Sequence, residues 1–118
     1  MTVRERADLA VGFVQMELPS IAVSLLEPAS ALSGGFLALY CWALLQSHRA
    51  LDCATLLEQR LRDEEVQGDV RRELEYLLAR AREALGEAEL SSELYRLLGD
   101  YRDSEARHSR LRSRPGRG

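Results

Sequence analysis

Breaker residues divide this chain into short segments whose apolar residues recur at helical spacing. Pro19, Pro28 and Gly86 stand at three of the divisions, and residues 33–35 and 63–68 form two more. Glycine and proline mark turns and interrupt helices, whereas no segment alternates apolar and polar residues as a half-buried strand does. The residues between the breakers are rich in Leu, Ala, Glu and Arg, and these types favour helix. The pattern predicts an all-α protein with about six helices.

The predicted helices are short and follow one another closely, so neighbouring helices are expected to pair as antiparallel hairpins. Ser20 is a suitable N-cap for the second helix. Pro28 ends that helix near Glu27, because a residue that precedes proline avoids helical geometry. Helices are expected at residues 4–18, 20–26, 36–45, 51–62, 69–85 and 89–101, and the apolar stripes of the last three include Leu51, Val70, Leu90 and Leu97.

The C-terminal end of the chain differs from the rest in charge. Residues 102–118 hold six arginines against Asp103 and Glu105, and they contain few apolar residues. Such a segment has almost nothing to bury. We therefore expect residues 1–101 to form one helical-hairpin domain and residues 102–118 to be a basic, disordered tail.

An internal repeat supports stacked hairpins. A shift of 31 residues superimposes residues 10–27 on residues 41–58 with four identities in eighteen positions. Within each copy two small residues stand twelve apart, and hairpin repeats of tetratricopeptide type need small side chains at such positions so that their helices approach closely. The period is also near that of these repeats. The sequence thus predicts tetratricopeptide-like hairpins, whose small residues are Ala10, Ala22, Cys41 and Cys53.

The sequence also bears on the compartment. Residues 1–6 lack an apolar run preceded by positive charge, so no secretory signal is expected. The longest apolar stretch, residues 36–45, is too short to span a membrane. We expect a cytoplasmic protein with no membrane partner, in which Cys41 and Cys53 are reduced thiols.

No pattern of residues predicts an active site, a metal site or a cofactor. Cys41, Cys53, His48 and His108 lack the paired spacing of a zinc site. The acidic run at residues 63–65 is typical of a solvated turn before a helix, where it favours the helix dipole. The glycines of residues 33–35 lack the further glycines and the preceding strand of a phosphate loop. The chain is therefore expected not to be an enzyme.

The repeat alignment indicates a surface for a partner. Trp42 matches Val11 and Leu45 matches Val14, at positions that face the groove in a tetratricopeptide hairpin. A partner helix is expected to lie against such a face. For Tyr40 or Trp42 taken alone, a place in the core is the better interpretation, and the alignment is what supports a place in the groove for Trp42.

Two other classes of function are compatible with the sequence. Hairpins of this kind can pack against a second copy, which makes the apolar face a dimer interface. The Arg-rich tail can contact phosphates of a nucleic acid, but it lacks aromatic interleaving and a folded basic face, which favours a solubilising role. Nucleic acid is therefore the less favoured partner.

Residues 36–42, together with the sequence Ala50-Leu51-Asp52, carry a resemblance to a known family. Over residues 10–85 the chain resembles the tetratricopeptide-like chaperones of needle subunits in bacterial type III secretion systems. The resemblance implies a cytoplasmic chaperone whose concave face clamps an amphipathic helix of a small secreted subunit, usually together with a second small helical chaperone. The groove residues expected from the alignment and the resemblance are Val11, Val14, Ala38, Trp42, Leu45 and Gln46.

Overall fold

Helices make up most of the chain. A computed structural model describes residues 1–29, 32–63 and 65–113. Within those ranges the chain forms helices and turns but no strand, which confirms the predicted all-α class. No helix among these residues is both long and apolar enough to cross a membrane. The helices are α1 (Val3–Gln15), α2 (Pro19–Leu26), α3 (Gly34–Gln46), α4 (Ala50–Arg60), α5 (Gly68–Ala84), α6 (Ala88–Leu98) and α7 (Ser104–Arg112).

Local chemistry explains how the first two helices begin and end. Thr2 caps α1 through a capping box, in which its hydroxyl accepts from the Glu5 amide and the Glu5 carboxylate accepts from the Thr2 amide, both at 3.1 Å. Pro19 occupies the first turn of α2, where its missing N–H is not needed. The expected N-cap at Ser20 is therefore wrong, since α2 begins one residue earlier. Glu27 is extended, as the following proline requires.

The six helices predicted from the sequence pair as three hairpins, α1–α2, α3–α4 and α5–α6. The predicted small residues lie at the contacts: Ala10, Ala22, Cys41 and Cys53 are all fully buried. The Cys53 thiol lies 3.8 Å from the Cys41 carbonyl oxygen, which shows how closely α3 and α4 approach. This confirms the hairpin architecture.

A third small pair, which the shift of 31 residues does not reveal, joins α5 to α6. Ala79 and Ser91 are also twelve apart and fully buried, and the Ser91 hydroxyl donates to the Ala79 carbonyl at 2.9 Å. Ala79 follows Cys41 by 38 residues rather than 31, because α4 is three residues longer than α2 and Ala79 lies four residues further into α5 than Cys41 does into α3. Arg71 donates to the carbonyls of Leu61 and Val66 and ties the connection between α4 and α5 to α5.

The hairpins stack in chain order. The second helix of each of the first two hairpins packs against the first helix of the next, so α2 contacts α3 and α4 contacts α5. The first helices also contact their counterparts, α1 with α3 and α3 with α5. As a result α1, α3 and α5 form one layer, and the surface of that layer is where a groove for a partner is expected.

The prediction of a disordered tail is wrong for the seventh helix. Helix α7 packs against α6, and Leu111 is buried in a cluster with Tyr76, Tyr95 and Leu98. Arg107 donates to Glu83 at 3.0 Å and to Asp103 at 2.8 Å, so its charge is neutralised within the fold. The average composition of the segment does not reveal that Leu111 is buried or that Arg107 is paired with a carboxylate. Residues 114–118, the end of the predicted tail, lie outside the described residues.

Several apolar residues expected to face the core are exposed instead. The side of α6 that meets the core carries Ala88, Ser91, Ser92, Tyr95 and Leu98, so small and hydroxyl residues take the positions that leucines were expected to fill. Close packing of α6 between α5 and α7 explains this choice, because large side chains would hold the helices apart. The exposed residues are Leu51, Val70, Leu90 and Leu97.

Candidate protein-binding groove

The layer of α1, α3 and α5 carries three open depressions, which together we call the groove. The first lies between the N-terminal halves of α1 and α3 and has a volume of about 520 Å³. The second lies between the N-terminal ends of α3 and α5, with about 210 Å³, and the third lies at the C-terminal ends of α1 and α3, with about 270 Å³. The lining residues on which the function depends are Asp8, Val11, Val14, Glu17, Gly35, Ala38, Leu39, Gln46, Asp69, Val70, Glu73 and Tyr101.

Helical spacing places the α3 residues of the groove on one side of that helix. Gly35, Ala38, Leu39 and Gln46 are separated by intervals of three, four and seven residues, and such intervals return to the same helix face. Gly35 lines both the first and the second depression. A Cβ atom added there would meet nothing within 4 Å, so the surface above Gly35 is open space. The groove therefore runs along one continuous face of α3.

Four of the six expected groove residues line a depression. Val11 lines the first and is 39% exposed. Ala38 lines the second, and Val14 and Gln46 meet in the third. The structure therefore brings Val14 of α1 and Gln46 of α3 together.

The other two expected residues are more deeply placed. Trp42 and Leu45 are half-buried, and both pack against the core that the three hairpins share. Neither lines any of the three depressions.

Trp42 belongs to a polar and aromatic cluster between α3, α5 and the turn before α7. Its indole N–H donates to Glu73 at 3.0 Å, and its ring centroid lies 6.2 Å from that of Tyr76. The guanidinium carbons of Arg80 and Arg102 lie 5.5 and 5.9 Å from the Trp42 ring centroid, within range of cation–π attraction. We call this set, completed by Tyr101, the Trp42 cluster: Trp42, Glu73, Tyr76, Arg80, Tyr101 and Arg102.

Glu73 is the hub of the Trp42 cluster. Besides the indole of Trp42, it accepts from the Tyr101 hydroxyl at 2.7 Å and from two nitrogens of Arg102 at 2.7 and 2.9 Å. Burial alone would raise the pKa of Glu73, but the hydrogen bonds from Arg102, Tyr101 and Trp42 outweigh it and hold the pKa below its ordinary value of 4.5. The charged carboxylate therefore joins α3, α5 and the turn that leads into α7.

Replacing Glu73 by Gln is expected to lower the free energy of unfolding at pH 7 by about 1–2 kcal/mol, since Arg102 is half exposed and its share is small. A folded-state pKa below the unfolded value gives stability that is complete above the unfolded pKa and is lost as the pH falls through the folded pKa. As the pH falls below 4.5, the ordinary pKa of a glutamate carboxyl, the wild-type chain should therefore lose stability more steeply than the Glu73→Gln variant does. Urea unfolding followed by circular dichroism across the acidic range measures both.

The control for that prediction is Glu65→Gln, at an exposed position of the connection between α4 and α5. It should change neither the stability at pH 7 nor its acid dependence. Parallel acid profiles for the wild type and Glu73→Gln would contradict the assignment of Glu73 as a structural anion.

The sequence alone did not reveal several of these residues. In the sequence Gly35 is marked only as part of a breaker, and Arg102 only as part of a basic tail. Glu73 stands on the exposed side of α5 in the helical pattern, so nothing marks it as the acceptor for Trp42. A local signal exists only for Tyr101, an aromatic residue at the end of a predicted helix.

The buried thiols are arranged for packing. The hydrogen bond with Cys53 and burial together raise the pKa of the Cys41 thiol, which opposes formation of the thiolate that a nucleophile or a metal ligand needs. Both cysteines are free and fully buried. Among the described residues no group of three or more histidine, cysteine, aspartate or glutamate side chains is placed to hold a metal ion.

Some of the arginines after residue 101 form ion pairs within the fold. Arg102 and Arg107 bind carboxylates of α5, namely Glu73 and Glu83. These two arginines are therefore not free to contact the phosphates of a nucleic acid, as the arginines of a nucleic-acid-binding tail must be.

Comparison of the chain with protein-family models, with curated proteins and with solved structures finds no match to any of them.

Proposed function

We propose that this chain is a non-catalytic binding protein that holds an amphipathic helix of another polypeptide in the groove over α1, α3 and α5. The observation that carries the proposal is the row of open, largely apolar depressions along one face of stacked helical hairpins. Stacked repeats bind their partners on such faces, and an amphipathic helix lays its apolar side into a groove of this kind.

Sequestration is the mechanism that follows. The partner's apolar stripe exchanges water for Val11, Ala38 and Leu39, which gains about 25 cal/mol for each Å² of apolar surface removed. The cost of ordering two chains offsets part of that gain. No covalent bond is made or broken, and the partner cannot self-associate through a stripe that is already covered.

The resemblance carried by residues 10–85 supports a more specific form of this proposal. In that form the chain is a cytoplasmic chaperone for type III secretion, and its partner is a small helical secreted subunit of needle type. A second small chaperone would complete the assembly. The alternative is self-association, in which a second copy covers the groove.

Two substitutions on the groove are expected to release the partner without unfolding the chain. Val11→Gln removes exposed apolar surface, and Gly35→Leu fills open space, because an added Cβ at Gly35 meets nothing within 4 Å and the residue has no positive φ. The measurement is purification of the tagged chain under reducing conditions from cells that produce it, with mass spectrometry of the stoichiometric partner. The double variant should lose at least nine tenths of that partner and keep the circular dichroism of the wild type.

Leu97→Gln is the matched control, since it removes an exposed apolar side chain from α6 rather than from the groove layer. It should retain the partner in full. A clean homo-oligomer with no second polypeptide would move the assignment to self-association. Equal losses in the groove variant and the control would contradict the groove as the binding surface.

A further inference from the structure

We infer that the partner is a positively charged amphipathic helix that lies along the valley between α1 and α3, an inference that rests on the proposed function. It specifies the chemistry of the partner and the part of the groove that receives it.

The shape of the groove favours the valley between α1 and α3. The first and third depressions both lie between these two helices, one at each end. Between α3 and α5, in contrast, Glu73 and Tyr101 form one wall of the second depression, and beyond it the Trp42 cluster occupies the space. An elongated partner therefore fits along α1 and α3.

The charges on the rim of the groove are all of one sign. The charged residues that line the three depressions are Asp8, Glu17, Asp69 and Glu73, with no arginine among them. Asp69 and Glu73 are already paired with Arg72 and Arg102, at 2.9 and 2.7 Å.

Asp8 and Glu17 carry the uncompensated charge. Both are exposed, and neither forms an ion pair with another residue in the described part of the chain. They stand at opposite ends of the valley between α1 and α3, and within the described residues no arginine lies within ion-pairing distance of either carboxylate. A bound helix that places cations at both ends would compensate that charge.

The spacing of the two carboxylates sets the pattern of the partner. Asp8 lies in α1, whereas Glu17 lies in the turn that follows it. Seven residues separate Asp8 from the end of α1 at Gln15, which at the rise of a helix corresponds to roughly 10 Å. A partner helix that lies parallel or antiparallel to α1 therefore needs two basic residues about two turns, or seven positions, apart on the side that faces α1, beside its apolar stripe. That stripe would lie over Val11 and Leu39, and the missing side chain at Gly35 lets the partner approach closely.

Three synthetic helical peptides test the inference against the full-length chain. They share one length and one leucine stripe, and they differ only at two positions seven residues apart at one edge of that stripe, which hold Lys, Gln or Glu. Because an exposed ion pair changes affinity by up to about fivefold, the Lys peptide should bind about tenfold more tightly than the Glu peptide in fluorescence anisotropy at low salt. Added salt should narrow that difference.

A charge reversal of the chain completes the test. Asp8→Lys combined with Glu17→Lys should reverse the preference, so that the Glu peptide binds more tightly than the Lys peptide. The control is Glu89→Lys combined with Asp100→Lys, which changes the net charge equally at exposed positions outside the groove. The control should keep the preference for the Lys peptide, and reversal in the control as well would overturn the inference by showing an effect of net charge alone.

The remaining outcomes separate this inference from the proposed function. One outcome is that all three peptides bind equally and that Gly35→Leu abolishes their binding. This outcome overturns the inference of a positively charged partner, but it supports the groove as a binding site. Failure of every peptide to bind overturns the inference as well, and the partner found by purification from cells then decides the proposed function independently.

Discussion

For a chain that stops at Asp103, the free energy of unfolding is expected to be about 2–4 kcal/mol lower than for the full chain. The truncation removes α7, and with it Leu111, which buries its side chain against Tyr76, Tyr95 and Leu98. It also removes the ion pair between Arg107 and Glu83. Burial of one leucine accounts for most of the expected loss, and the entropy regained by the unfolded segment limits it. Urea unfolding of both chains measures the difference.

Two matched chains isolate the contribution of α7. A chain that stops at Ser113 retains the whole helix and should match the full chain within about 0.5 kcal/mol. Leu111→Ala in the full chain should lower the free energy of unfolding by about 2–3 kcal/mol. This lies near the lower end of the range for replacing a buried leucine by alanine, because α7 lies at the end of the stack and can relax. Equal stability of the chain ending at Asp103 and the full chain would restore the interpretation of a disordered tail.

The contrast between the tail and α7 shows where composition misleads. A mean over residues 102–118 counts six arginines as solvated charges, yet Arg102 and Arg107 each meet a carboxylate of α5. Those carboxylates are more than 20 residues away in sequence, at Glu73 and Glu83. Pairings of that range leave no mark within a local window, so the sequence alone could not place the helix.

The hairpins themselves were predictable because their requirement is local and steric. Two helices joined by a short turn approach closely only where both carry small side chains, and the interval of twelve residues marks those positions at Ala10 and Ala22 as well as at Cys41 and Cys53. The third hairpin uses a serine, and α4 and α5 are longer than their counterparts α2 and α3, so a fixed shift does not find it. Knowledge of the interval, rather than of the repeat length, would have found Ala79 and Ser91.

The candidate groove was predictable only in part. Val11 and Ala38, which the alignment and the resemblance name, line the first and second depressions. Such an alignment cannot distinguish an open face from one covered by a later segment, and Trp42 is covered by the turn that holds Tyr101 and Arg102. The final shape of the groove therefore depends on contacts between parts of the chain that are distant in sequence.

Ser91→Leu is expected to destabilise the chain by about 3 kcal/mol or more, which makes it a severe substitution outside the groove. Ser91 is fully buried where α5 and α6 approach most closely, and its hydroxyl donates to the Ala79 carbonyl at 2.9 Å. Leucine adds volume to a contact that only small side chains fit, and it also removes the hydrogen bond. Ser91→Ala keeps the small volume and should cost only about 1 kcal/mol, the contribution of the hydrogen bond.

The graded pair Ser91→Ala and Ser91→Leu tests whether small volume or hydrogen bonding defines the hairpin contact. Ser24→Leu is the control, because Ser24 is an exposed serine of α2 whose hydroxyl donates only to its own helix, and it should stay within about 0.5 kcal/mol of the wild type. If Ser91→Ala cost as much as Ser91→Leu, the hydrogen bond rather than the close approach would hold α5 and α6 together. A small effect of Ser91→Leu would mean that the helices can separate, and the groove layer would then tolerate changes in hairpin spacing. The expected order, with Ser91→Leu far below Ser91→Ala, follows because three buried pairs of small residues recur at the same interval and only one of them contains a side-chain hydroxyl.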